Sequence, residues 1–133
     1  MPEMIRVGVV GAGTFIRRYH IPNLLKLPDV QVIGVSNRSR QSGEQVAQQF
    51  GIAHVFDDWR ELVTHPDVDA VLVGTLPDMR APVTVAALEA GKHVLAEAAM
   101  SVDLAGARAM YEASRHPAAP QDAPFQHGPR IPR

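Results

Sequence analysis

Two glycines separated by one alanine, Gly11-Ala12-Gly13, close a β-branched run and lead straight into Thr14-Phe15-Ile16. Gly11 permits a tight turn out of a strand, and Gly13 lets backbone amides come close to a diphosphate. A helix opening behind them turns its positive end toward that anion. A lone G-x-G carries little weight, but this one follows the first expected strand and precedes a helix, which is the context that gives the motif meaning. The third small position of G-x-G-x-x-G/A is filled by Ile16, where close helix–strand packing asks for glycine or alanine. The first helix is therefore expected to stand slightly further from the sheet, or to begin one residue later. Gly11, Gly13, Thr14, Phe15 and Ile16 are candidate contacts to a dinucleotide.

A second candidate group is Ser36-Asn37-Arg38-Ser39-Arg40, at the end of the second expected strand. Dinucleotide folds usually place an acid there to accept from the adenosine ribose hydroxyls. Here no carboxylate is present to repel a 2′-phosphate, while two arginines and two hydroxyls are available to bind one, arginine through paired charge-assisted bonds. The reading is NADP in preference to NAD, with Asn37, Arg38 and Arg40 around the adenosine end. The plainer alternative is a solvated loop, since arginine near a helix start is common on surfaces.

Other chemistry-bearing residues point elsewhere. Six histidines (20, 54, 65, 93, 116 and 127) show no metal-ligand spacing and no H-E-x-x-H. His93 reads as a core residue, and His20 as a helix-end residue near the glycine turn, with Pro22 opening the next short helix. Asp57-Asp58 precedes a helical segment and reads as a cap. Trp59 and Leu62 behind it read as packing residues. Ser101 and Ser114 lack a G-x-S-x-G elbow.

The elements that must position these residues alternate. Met4–Val10, Val30–Ser36, Ala70–Val73 and His93–Ala96 are short apolar runs of the kind buried in a parallel sheet, with a weaker candidate at Ala53–Phe56. Helices are expected at Ser39–Phe50, stopping before Gly51, at Asp58–Thr64, at Pro82–Ala90, stopping at Gly91, and at Asp103–Arg115. Such alternation means right-handed βαβ units and a doubly wound, mostly parallel α/β sheet with helices on both faces. The chain has 133 residues, a net charge of −1, 46% hydrophobic residues and no cysteine. One domain of about 116 residues is expected, with 117–133 a Pro-rich and disordered tail; five of the eleven prolines lie after Arg115. The composition excludes a disulfide scaffold, a thiol nucleophile and a basic nucleic-acid footprint. No apolar run reaches the roughly 18–20 residues needed to cross a membrane, and the first residues do not read as a secretory signal. A cytoplasmic protein is expected.

Taken together, these stretches resemble the N-terminal Rossmann-like domain of the Gfo/Idh/MocA family of NAD(P)-dependent oxidoreductases. The matching residues are Arg6–Phe15, His20-Ile21-Pro22, Asp57–Leu62, Val68–Val73 and Ala86–Glu97, the most specific being Ala90-Gly91-Lys92-His93-Val94 leading into Glu97. The resemblance implies a pyrophosphate loop at Gly11, Gly13, Thr14 and Phe15. It also implies a Thr-Pro turn beside the dinucleotide at Thr75, Leu76 and Pro77, and a nicotinamide-ribose contact at Glu97. Two departures stand out: the family's Lys-Pro after the glutamate is Ala98-Ala99 here, and its histidine after the Thr-Pro turn is Arg80.

In this family a second, larger domain supplies most of the substrate pocket, so no catalytic residue is assigned within these residues. The resemblance implies a divergent, truncated member that binds NADP or NAD and is inactive alone. The alternatives are a non-catalytic nucleotide-binding or interaction protein, and a fragment of a longer one. A homodimer through the surface that the missing domain would cover is a possible assembly. No nucleic-acid or membrane partner is expected.

Overall fold

The computed structural model describes residues 4–120. Strand β1 (Ile5–Val10) is buried over its last four residues, because it lies at the centre of the sheet with helices over both faces. It pairs in parallel with β2 (Val30–Ser36) on one side and β4 (Ala70–Val73) on the other. The two-residue β3 (His54–Val55) extends the β2 side, and β5 (His93–Ala96) extends the β4 side. The order is β3-β2-β1-β4-β5, all parallel. The chain therefore reverses its direction of winding between β1 and β4, and connections leaving those two strands diverge. A crevice must open there, at the carboxyl ends of the strands.

Among the described residues five α-helices cover the sheet: α1 (Ile21–Leu25), α2 (Arg40–Phe50), α3 (Trp59–Thr64), α4 (Pro77–Glu89) and α5 (Leu104–Ser114). Ile21 and Val46 join Val7, Val9, Val32 and Val35 in one core. Leu62, Val63, Val83 and Ala87 join Val10, Val71 and Val73 in the other. Caps fall where the sequence places polar side chains. Ser39 Oγ accepts from Ser42 N–H (3.1 Å), Asp58 Oδ1 from Arg60 N–H (2.9 Å) and Asp103 Oδ1 from Gly106 N–H (2.8 Å). Gly51 closes α2 in the left-handed region (φ 69°).

One helix start differs from expectation. Helix α4 begins at Pro77, and Pro82 lies inside it. Both prolines are compatible with a helical start, and only the first occupies it. The first turn that Pro77 adds is held by Met79 N–H to Leu76 O (3.0 Å). This extra turn brings Arg80 onto the helix and into the interior.

The register of β1 against β4 is pinned at the end remote from the crevice. Arg6 N–H donates to Asp69 Oδ2 (2.8 Å), its guanidinium donates to both carboxylate oxygens, and Asp69 N–H returns a bond to Arg6 O (2.8 Å). Burial alone would raise the Asp69 carboxyl, but the bonds and charge of Arg6 outweigh it and hold the group below its ordinary range.

The chain stays packed past α5. Ala119 is buried against Leu88 and Ala113, three residues into the segment read as a tail. The rest of that tail, 121–133, lies outside the described residues.

Candidate functional site

A cleft of about 440 Å3 opens at the β1/β4 switch point. It gathers Gly11 and Gly13, Asn37 and Arg38, and Thr75 and Leu76, which come from three separate turns at the carboxyl ends of β1, β2 and β4. These are six of the twelve residues that the sequence singles out.

The floor is built by close backbone approach. Gly11 has φ +82°, and a Cβ there would lie 2.6 Å from Thr75 N and 2.8 Å from Thr75 Cα. Only glycine serves, since the conformation and the space both exclude a side chain. Gly11 N–H donates to Ser36 O (2.9 Å) and Gly74 N–H to Val10 O (2.8 Å), so all three turns are tied together. A Cβ at Gly13, by contrast, would meet nothing within 4 Å. It would project into the space before the helix start, where the first amides have no intrahelical partner.

Ile16 is accommodated by its neighbour. It is 2% exposed and lies against Gly74, where an added Cβ would overlap the Ile16 side chain and stand 2.5 Å from Gly11 O. The smallness that the motif asks of the helix is supplied here by the β4 turn. The helix also widens: Ile16–His20 is a π-helical turn that continues into α1. Thr14 and Phe15 stand at its exposed start, outside the cleft lining.

At the β2 end, Asn37 occupies the place of the usual acid, and both ends of its amide are engaged. Its Oδ1 accepts from Ala12 N–H (2.7 Å) and its Nδ2 donates to Ser42 Oγ (2.8 Å). A carboxylate could not donate to Ser42, so the amide suits this bridge. Arg38 is exposed on the cleft wall and makes no ion pair among the described residues. Arg40 differs: its guanidinium is held by Glu44 (3.0 Å) and Asp57 (3.0 Å), away from the cleft. Asp57 thus pairs with Arg40 while its neighbour Asp58 does the capping. Trp59, read as a packing residue, also lines the cleft.

Glu97 lies beyond the cleft. It follows β5, with its N–H on Val73 O (3.0 Å), and borders a second groove of about 560 Å3 between α4, β5 and α5. Its carboxylate meets His20 Nε2 and also accepts from Ala98 N–H (3.2 Å). Burial by itself would raise this carboxyl. The hydrogen bonds from His20 and Ala98, with the charge of Arg80, outweigh that and hold it below the usual range. Arg80 is 7% exposed; its Nε donates to Thr75 O (2.9 Å) and its Nη1 to Ala99 O. Neither the His20–Glu97 contact nor the Arg80 bridge was visible in the sequence, because each joins positions with no local relation.

The residues fit a dinucleotide. The space before Gly13 is open, Arg38 is a cation on the wall, and the buried Thr75 Oγ1 has no hydrogen-bond partner among the described residues. A parallel 3-2-1-4-5 sheet with a glycine turn at its switch point defines a Rossmann-type nucleotide-binding domain. Residues 5–118 match the model of the Gfo/Idh/MocA oxidoreductase family, NAD-binding Rossmann fold, and the chain belongs to that family.

Its relatives are reductases and dehydrogenases. A 1,5-anhydro-D-fructose reductase of Ensifer adhaerens is 37% identical over 112 residues, 84% of this chain and 33% of that protein. A dTDP-3,4-didehydro-2,6-dideoxy-alpha-D-glucose 3-reductase of Saccharopolyspora spinosa is 36% identical over 97 residues, 73% of this chain and 29% of the other. Among solved structures, a 3-ketoreductase from Actinomadura kijaniata in complex with NADP superposes with a TM-score of 0.78 at 32% identity, covering 85% of this chain and 36% of that one. The chain thus spans about a third of the length of these relatives. No helix among the described residues is long and apolar enough to cross a membrane.

Proposed function

We propose that this chain is the dinucleotide-binding part of an oxidoreductase and that it takes NADP in preference to NAD, from the cytoplasmic pool. The carrying observation is the β2 end of the cleft, where Arg38 stands unpaired among the described residues and no carboxylate lines the wall around it except Asp78, which comes from α4. Asn37 presents no charge to a 2′-phosphate, and the nearby Ser42 hydroxyl is available to share in binding it. Arg40 contributes through the Asp57 and Glu44 pairs that fix the start of α2. At the glycine turn, Gly11 and Gly13 give a diphosphate room to meet the first helix amides of Thr14 and Phe15. Ile16 packs behind them, and Thr75, Leu76 and Pro77 wall the opposite side.

Calorimetric titration tests this reading. NADP is expected to bind at least about tenfold more tightly than NAD, the size of effect that one charge-assisted bidentate contact supports. Arg38→Ala is expected to erase the difference by weakening NADP alone. Equal or tighter binding of NAD by the unaltered chain overturns the preference.

When bound, the cofactor would supply or accept a hydride, and the protein's task is to hold a substrate carbon against it away from water. No catalytic group is assigned here; we place substrate selection and turnover in residues beyond this span, as expected of a chain matching a third of its relatives. A second reading, of a non-catalytic binding or interaction protein, is favoured by one face. Leu95, on the open edge of β5, is 57% exposed. We propose that this face pairs two copies of the chain. Light scattering on the NADP-loaded chain is expected to report a dimer that consumes no cofactor with sugars or polyols. A clean monomer overturns the pairing, and steady turnover overturns the placement of catalysis.

A further inference from the structure

Among the described residues the sheet ends at β5, which is last in the order and hydrogen-bonded to β4 alone. His93 N–H donates to Asp69 O (3.1 Å) and Glu97 N–H to Val73 O (3.0 Å), so His93, Leu95 and Glu97 turn their main chain toward β4. Val94 and Ala96 alternate with them and turn theirs outward. Edge strands are commonly guarded by a lysine, a proline or a bulge. None lies in His93–Ala96, whose register against β4 is unbroken. The charges on either side are engaged elsewhere: Lys92 Nζ donates to His65 O (2.8 Å), and the Glu97 carboxylate meets His20. What this edge offers is main chain and the exposed Leu95.

A second copy set on this edge by a two-fold axis runs antiparallel to the first, and outward-facing residues must pair with outward-facing ones. Three centres for the axis can be compared. On Val94, the axis brings Ala96 opposite Lys92 of the second copy, whose N–H is already given to Ala87 O (2.9 Å). On Ala96, it brings Val94 opposite Ala98, whose N–H is given to the Glu97 carboxylate (3.2 Å). On Leu95, it pairs Val94 with Ala96 of the second copy on both sides of the axis. No other strand claims those two residues, and each such pair exchanges two main-chain bonds. The same register sets Leu95 directly opposite itself, where the two exposed side chains cover each other on one face of the sheet.

We propose that two copies of this chain join edge to edge through β5, antiparallel about a two-fold axis at Leu95, so that their sheets become one continuous sheet. The register rests on the pairing of two copies proposed above and specifies it.

Cysteine placement reads the register directly, because the chain has no cysteine of its own. Opposed residues of a non-hydrogen-bonded pair stand about 4.5 Å apart at Cα, within reach of a disulfide. Air-oxidised Leu95→Cys is expected to run mostly as a covalent dimer on non-reducing electrophoresis. Leu27→Cys, also exposed but just ahead of β2, is expected to stay single. Leu95→Lys sets two ammonium groups across the axis. It is expected to raise the dimer dissociation constant at least about tenfold, followed by light scattering over a dilution series. Circular dichroism of each variant checks that the fold is kept. A dimer that resists Leu95→Lys overturns the register while leaving the pairing of copies in place. So does one that cross-links no better through position 95 than through position 27. A monomer from the unaltered chain at every concentration removes the pairing itself, and the register with it.

Discussion

Replacing Gly11 by alanine is expected to cost about 3 kcal/mol of stability and to abolish dinucleotide binding. Two penalties combine. The residue is held at φ +82°, where an L side chain is strained, and its Cβ would lie 2.6 Å from a backbone nitrogen of Thr75. The obstruction does not yield cheaply, because it is the main chain of Gly74 and Thr75 and Gly11 N–H is committed to Ser36 O. Thermal unfolding is expected to show a midpoint lowered by roughly 10 °C. An alanine variant as stable as the parent would mean that the β1 and β4 turns do not approach as described.

The second large effect sits two residues away and has the opposite character. Gly13→Asp is expected to leave the unfolding midpoint within about 2 °C of the parent while lowering NADP affinity at least roughly 100-fold. A Cβ at 13 meets nothing within 4 Å, and the backbone there is outside the left-handed region. Aspartate at a helix start is itself favourable. Its carboxylate, however, would occupy the space in front of the first helix amides and repel a diphosphate. Titration of the folded variant decides the point; unaltered affinity would show that the phosphates lie elsewhere. The pair of glycines thus separates a requirement of the fold from a requirement of the ligand.

Much of this was legible from local pattern. The apolar runs at Val30–Ser36, Ala70–Val73 and His93–Ala96 are strands over those same residues, and the central Ala70–Val73, covered on both faces, leaves the most continuous apolar signal. Ser39, Asp58 and Asp103 cap as their types suggest. The start of α4 was not legible, since Pro77 and Pro82 are both acceptable first-turn residues and only packing of the added turn decides between them. The cleft's glycine turn and the Asn37–Arg38 corner followed from spacing along the chain. The engagement of Arg40 by Asp57 did not, nor did the support of Ile16 by Gly74, for these depend on which loops meet across the sheet. Glu97 was reached through family resemblance alone, and its partner His20 lies 77 positions away.

The hydrogen bonds that tie the three turns carry a further consequence. Gly11 N–H on Ser36 O and Gly74 N–H on Val10 O continue the ladders of the central strands into the cleft floor. Local opening of that floor would break a bond from β1 to each of its two neighbours. The Gly11 and Gly74 amides are therefore expected to exchange more slowly than the amides of the exposed rim, which hydrogen exchange would measure. A bound nucleotide leaves an intact floor behind it: dissociation proceeds through the side chains at the rim, and the site is preformed for the next molecule to arrive.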